Sequence, residues 1–146
     1  MSSLPSKKKR ISNNQDAEPH RTSQEAVDTY LATVQIFGGL ISEVRELSKK
    51  KPDATLNKGK VRIINRVLTD LQIVLDREPE KKFLDLLDDE ELPQTSDAVL
   101  IMVQYETALS AFPDRYRKYV QTGTDEYGRP VRALFWITDD FDFDNP

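Results

Sequence analysis

The sequence predicts an all-α fold, a bundle of four to five helices with a disordered N-terminal tail and a short extended or helical C-terminal segment. Three observations lead to this prediction. Apolar residues recur at steps of three and four through the middle of the chain, as they do on the buried face of an amphipathic helix. Residues that cap or stop helices stand at the ends of these stretches. The chain has 146 residues, which is the size of one compact domain.

Two long amphipathic helices come first. The first covers residues 24–51, begins after Ser23 as its N-cap and ends before Pro52. Its apolar stripe consists of Val27, Tyr30, Val34, Phe37, Ile41 and Val44. The second covers about residues 56–76, and its stripe consists of Val61, Ile64, Leu68, Leu71 and Leu75. Both stripes have helical spacing and are therefore expected to face a common core.

The later elements are predicted from shorter signals. Pro79 is favoured in the first turn of a helix, so it predicts a third helix over residues 78–89. A fourth helix is expected to begin near Ser96 and to carry its apolar face as far as Val120. Residues 131–137 are too short for their periodicity to separate a strand from a helical turn. A strand there would need a hairpin partner near residues 119–122.

The two ends of the chain differ in composition from the middle. Residues 1–22 are polar and predict a disordered basic tail, because they cannot bury enough apolar surface to offset the entropy of ordering. Residues 23–138 form the single predicted helical domain. Residues 139–146 form an acidic-aromatic C-terminal tail, in which Phe141 and Phe143 alternate with aspartates. This tail is expected either to act as a docking peptide, with the two rings as its anchors, or to pack its two rings back on the domain.

Composition excludes several classes of function. The chain has no cysteine and one histidine, His20, so disulfide scaffolds, thiol chemistry and Cys/His zinc sites are excluded. His20 lies in the predicted tail, where a general base has no fixed geometry. No apolar run reaches the length of about 18 residues that a membrane span needs. We therefore expect a cytoplasmic, non-enzymatic protein with no metal, cofactor or small-molecule substrate, or else one associated with the nucleus or nucleoid.

Charge is distributed unevenly along the chain. Residues 43–66 hold eight cations and three anions, whereas residues 67–98 hold three cations and ten anions. This asymmetry is suited to head-to-tail self-association. It also supports the alternative function, nucleic-acid binding, because cations at a spacing of four form one ridge on a helix. The nucleic-acid candidates are Lys58, Arg62 and Arg66 on that ridge and Lys7, Lys8, Lys9 and Arg10 in the tail.

Arginine and tyrosine are concentrated near the C-terminal end of the domain, and both are enriched at protein interfaces. The candidate partner-binding residues are Arg115, Tyr116, Tyr119, Arg129, Arg132, Phe141 and Phe143. An end of the bundle with arginines lying over apolar surface would give the same pattern. The first functional hypothesis is a helical protein–protein interaction module that acts as a subunit or adaptor of a larger complex.

Overall fold

The structure, a computed structural model, describes residues 19–146 and contains three α-helices and a two-stranded antiparallel sheet. The helices are α1 (Gln24–Lys50), α2 (Lys58–Val74) and α3 (Thr95–Tyr116), and the strands are β1 (Arg117–Thr124) and β2 (Pro130–Trp136). A short 3-10 helix, Pro79–Phe83, lies between α2 and α3. The all-α prediction of four to five helices is therefore wrong, and the fold is a mixed one.

The two long helices predicted first are confirmed, with ends within two residues of those expected. The side chain of Ser23 caps α1 by accepting a hydrogen bond from the Ala26 N–H at 3.0 Å. Asn57 caps α2 in the same way through Lys60 N–H at 2.8 Å. Helix α1 packs against both α2 and α3, and its stripe meets theirs in one core. The largest fully buried side chains of that core are Tyr105, Phe112, Leu68, Leu71, Leu75 and Met102.

The third predicted helix is wrong. Only Pro79–Phe83 is helical, and the chain then becomes extended at Leu84. Side chains of α2 and α3 take the place of helical hydrogen bonds in this segment. The Asn65 amide both donates to Leu87 O and accepts from Leu87 N–H, each at 2.8 Å. Gln72 donates to Leu84 O at 3.1 Å, and the Tyr105 hydroxyl donates to Asp85 O at 2.9 Å. Leu84 and Leu87 are thereby buried without a fourth helix.

A β-hairpin replaces the predicted end of the last helix. Helix α3 ends at Tyr116, although its apolar pattern continues to Val120, and β1 begins at the next residue. The strands pair from Arg117 with Trp136 to Thr124 with Pro130, with a bulge between Gln121 and Gly123. Gly128 closes the turn at φ +78°, in the left-handed region that favours glycine. The β-branched and aromatic residues of both strands therefore outweigh the helical spacing of the tyrosines.

The two ends of the described chain are joined at the base of the hairpin. Thr22 pairs in parallel with Thr138, donating its N–H to Ile137 O at 3.1 Å and accepting from Asp139 N–H at 2.9 Å. Thr22 and Ile137 are buried. Arg77, just after α2, holds Asp139 in a bidentate ion pair at 2.8 Å. These contacts fix the start of α1 against the segment that follows β2.

Candidate interaction surfaces

The hairpin is anchored at its base and exposed beyond it. The Trp136 ring lies 5.5 Å from Tyr30 and 5.7 Å from Phe112, measured between ring centroids. Two register positions further from the base, the side chains of Tyr119 and Leu134 stand opposite each other and are 70% and 44% exposed. Directly opposed residues share one face of a sheet, so these two form an apolar pair that the rest of the molecule leaves uncovered.

Both edges of the hairpin carry backbone groups that point away from the sheet. Ile137 N–H donates to Tyr116 O, which fixes the alternation of inward and outward pairs along the two strands. By that alternation the N–H and C=O groups of Tyr119 in β1, and of Arg132 and Leu134 in β2, point outward. None of these groups has a hydrogen-bond partner within residues 19–146. An unpaired edge is a template for another strand.

The two edges differ in access. Arg117, at the start of β1, donates its outward N–H to Pro113 O in the last turn of α3. The end of α3 therefore occupies the β1 edge at the base of the hairpin. The outward backbone groups of Leu134 and Trp136 on β2 have no corresponding helix end bonded to them in the described part of the chain. The β2 edge is consequently the one that offers a longer run for strand addition.

The strands are basic. They carry Arg117, Lys118 and Arg132 and no acidic residue. The acidic residues of the hairpin lie in its turn, where Asp125 pairs with Arg129 at 3.1 Å. The main cause of a lowered pKa of the Asp125 carboxyl is the hydrogen bond that it accepts from the backbone N–H of Arg129. The positive charge of the strands therefore remains available to an acidic partner.

Two of the predicted partner-binding residues, Arg115 and Tyr116, form hydrogen bonds to side chains of the protein itself. The guanidinium of Arg115 bonds to Glu78 and Glu80 at 2.9 Å, and the Tyr116 hydroxyl donates to Glu78 at 2.7 Å. The side chain of Glu78 is fully buried, and Tyr116 is 5% exposed. Burial and the neighbouring Glu78 raise the pKa of Tyr116, and hydrogen bonds to Glu80 and Glu78 raise the pKa of Arg115. This network holds the 3-10 helix against the end of α3.

The other predicted partner-binding residues lie on or beside the hairpin. Tyr119, Arg129 and Arg132 are exposed on it. Phe141 packs on Phe135 of β2 at 5.3 Å between centroids and on Phe143 at 4.9 Å.

Arg21 holds this C-terminal segment in place. Its guanidinium donates to Phe141 O at 2.8 Å and lies 5.4 Å from the Phe143 ring. Of the two arrangements expected for Phe141 and Phe143, the structure shows packing against the domain. Phe143 remains 38% exposed and keeps a surface for contact.

The nucleic-acid candidates fall into two groups. Lys58, Arg62 and Arg66 are exposed along one side of α2, and in the described part of the chain none of them takes part in an ion pair. They form the ridge that their spacing predicts. Lys7, Lys8, Lys9 and Arg10 lie outside the described residues.

One cavity on the described part of the chain is lined by charged side chains that already have partners. It has a volume of about 560 Å³ and is lined by Asp76, Arg77 and Lys81 among others. These charges are already paired, Asp76 with Lys81 and Arg77 with Asp139. Across residues 19–146 there is no group of three histidine, aspartate or glutamate side chains placed to hold a metal ion. None of the helices in the same range is long and apolar enough to cross a membrane.

Sequence reasoning missed Leu134 and the two open edges. A signal for them was present. Runs rich in β-branched and aromatic residues stand on either side of Thr124–Pro130, a segment with an aspartate and a glycine at turn positions. The helical spacing of Tyr116 and Tyr119 led the interpretation toward a longer helix instead.

Comparisons with protein families, with curated proteins and with solved structures find no match to this chain.

Proposed function

We propose that this protein is a non-enzymatic protein–protein interaction module whose hairpin accepts an extended segment of a partner along the outer edge of β2. The observation that carries the proposal is the unpaired edge beside the exposed Tyr119–Leu134 pair. A partner strand would satisfy the outward backbone groups of Arg132 and Leu134, and its side chains would pack against Leu134. The same proposal places the module in the cytoplasm, as a subunit or adaptor.

The chemistry of the hairpin also indicates the composition of the partner segment. Side chains of an added strand alternate between the two faces of the sheet. On one face they would lie beside Leu134, which favours apolar groups, and near Arg132, which favours a carboxylate. We therefore expect an extended segment in which apolar and acidic residues are mixed and arginine and lysine are rare.

The test uses a displayed library of random peptides about ten residues long, which exceeds a typical strand. Selected peptides should slow hydrogen exchange at the amides of Arg132 and Leu134. Leu134→Pro removes an outward N–H and leaves the ladder to β1 intact, so it should raise the dissociation constant at least about tenfold.

The matched control is Leu134→Ala, which removes the side chain but keeps the N–H. It should weaken binding less than Leu134→Pro does. Fluorescence of Trp136 at the hairpin base checks that both variants are folded. Selected peptides that bind wild type and Leu134→Pro equally, or that protect amides elsewhere, would rule out strand addition at this edge.

A second candidate function is nucleic-acid binding through Lys58, Arg62 and Arg66, favoured by their exposure and by their lack of ion pairs among residues 19–146. With this function the protein would work in the nucleus or nucleoid. Anisotropy of labelled DNA and RNA should then show binding that weakens steeply with salt, and Arg62→Glu with Arg66→Glu should abolish it. A titration unchanged by these two substitutions would remove the ridge from consideration.

A further inference from the structure

An apolar groove with a lysine rim runs between α1 and α2, on a part of the molecule away from the hairpin. It consists of two cavities of about 210 Å³ and 260 Å³ that share Leu47, Leu56 and Lys60. Its floor is formed by Leu40, Val44, Leu47, Leu56, Ile63 and Ile64, and its rim carries Lys50, Lys51 and Lys60. Ile63 is 47% exposed there.

The rim is positively charged and uncompensated. No ion pair in the described range involves Lys50, Lys51 or Lys60, and Glu43 is the one acidic residue among those that line the two cavities. The aromatic side chains that stack nucleic-acid bases do not occur among the lining residues. An apolar floor within a cationic rim is suited to a segment that combines large apolar side chains with carboxylates.

This chain carries such a segment on its own surface. Within the acidic segment, residues 83–91, Phe83 is 58% exposed and Leu86 is 41% exposed. Its exposed acidic residues are Asp85, Asp88, Asp89, Glu90 and Glu91. None of these five forms an ion pair within residues 19–146. The carboxylate of Asp88 accepts from the backbone N–H groups of Glu90 and Glu91 at 2.9 and 3.0 Å, which fixes the shape of the segment.

The acidic segment is held away from the groove of its own molecule. Asn65 binds the backbone of Leu87, and it lies two positions after Ile63. At 100° per residue, Ile63 is about 200° and Lys60 about 140° from Asn65 around the helix, so the segment and the rim of the groove lie on different sides of α2. The Tyr105 hydroxyl, which bonds to Asp85 O, holds the segment there from α3. The two surfaces are therefore able to meet only between two copies of the chain.

We propose that the lysine-rimmed groove binds the acidic segment of a second copy of this protein, with Phe83 and Leu86 entering the groove and the carboxylates facing the lysines. Neither of the two surfaces includes residues of the hairpin, so this contact is independent of strand addition there. Opposite charge on the two surfaces steers the copies together although the whole chain carries a net charge of −4.

Sedimentation velocity on the full chain, over about 10 µM to about 1 mM, tests the proposal. The average mass should rise with concentration at about 0.1 M salt and return to that of the monomer at about 1 M, where the Debye length falls from about 10 Å to about 3 Å. Lys51→Gln with Lys60→Gln should weaken association at least about tenfold, and so should Phe83→Ser with Asp89→Asn. All four positions are exposed, so folding is expected to be retained.

Mixing the two double variants is the decisive experiment. The groove variant keeps its acidic segment and the segment variant keeps its groove, so an equimolar mixture should restore association, up to a dimer. Leu100→Ser is the matched control, because Leu100 is 67% exposed on α3 and belongs to neither surface. Leu134→Pro, which blocks the hairpin edge, should also associate as wild type does.

Either of two results would overturn the proposal. Wild type that stays monomeric over the whole concentration range at low salt would exclude binding of the acidic segment by the groove of a second copy. Association that survives in both double variants would place the contact elsewhere on the chain.

Discussion

Substituting Asn65 with alanine tests how the extended segment after the 3-10 helix is held. The Asn65 amide makes two hydrogen bonds of 2.8 Å to the backbone of Leu87, which is 3% exposed. Each such bond contributes about 1 kcal/mol, and a buried Leu87 group left without a partner costs about 1 kcal/mol more. Alanine is a better helix former than asparagine by about 0.7 kcal/mol, which offsets part of the loss. The free energy of unfolding should therefore fall by about 2 kcal/mol.

Urea unfolding followed by the fluorescence of Trp136 measures this loss. For a slope of about 2 kcal/mol/M, a loss of 2 kcal/mol moves the midpoint down by about 1 M. Asn65→Asp keeps an acceptor for Leu87 N–H and loses the donor to Leu87 O, so it should fall between wild type and Asn65→Ala. Thr69→Ala is the matched control on α2, because its exposed hydroxyl bonds only to Asn65 O within the helix. A loss below about 0.5 kcal/mol for Asn65→Ala, or one equal to that of Thr69→Ala, would refute the reasoning.

Three further predictions concern the network at the end of α3 and the hairpin turn. Tyr116→Phe removes the hydroxyl donor to Glu78 and should lower the free energy of unfolding by about 2 kcal/mol, because the acceptor is a buried carboxylate. The hydrogen bond from Arg115 holds the pKa of Glu80 below its ordinary value of 4.5, so its contribution is present above pH 4.5 and is lost as pH falls through the lowered value. Acid titration of stability in Arg115→Gln should show a shallower loss in that range. Gly128→Ala should cost about 1 kcal/mol in thermal unfolding, because φ is +78° there. No neighbouring atom would contact the added Cβ, so the backbone conformation is the source of this cost.

Matched variants separate these effects from general damage. Tyr119→Phe removes an exposed hydroxyl and should leave stability unchanged. Gly123→Ala lies in the same hairpin as Gly128 but has no positive φ and open space around it, so it should cost less. Equal losses within either pair would contradict the corresponding explanation, and an acid titration of Arg115→Gln as steep as that of wild type would contradict the assignment to Glu80.

The sequence was sufficient for the elements that local chemistry determines. Helix α1 follows from an apolar period, a capping side chain and a stopping residue, and α2 follows from its apolar period, all of which are local. The exposure of the Lys58 ridge follows equally from its spacing. The segment after Pro79 could not be predicted in this way. Its shape depends on side chains of Asn65 and Tyr105, which are about 20 residues away along the chain. A local pattern cannot reveal such long-range hydrogen bonds.

The hairpin shows a different limit. Helix α3 continues through Pro113 and ends at Tyr116. Because Tyr116 and Tyr119 have helical spacing, the apolar pattern of the sequence extends past this end. Pairing with residues 130–136 decides the conformation of residues 117–124, and pairing energy is not visible in one strand alone. The interaction surface on β2 could not be predicted for the same reason, since an edge exists only once a sheet is defined.

The joining of the chain ends has a consequence for the order of folding events. Arg21 and Thr138 are in contact although they are 117 positions apart, so their meeting closes almost the whole described chain into a loop. Closing so long a loop has a high entropic cost before any other contact has formed, so these bonds are expected to appear after the transition state. Substitutions at Thr22 should then accelerate unfolding and leave the refolding rate unchanged. Under native conditions the same junction would open before the helices separate, releasing the start of α1 and the hairpin base while the core stays closed.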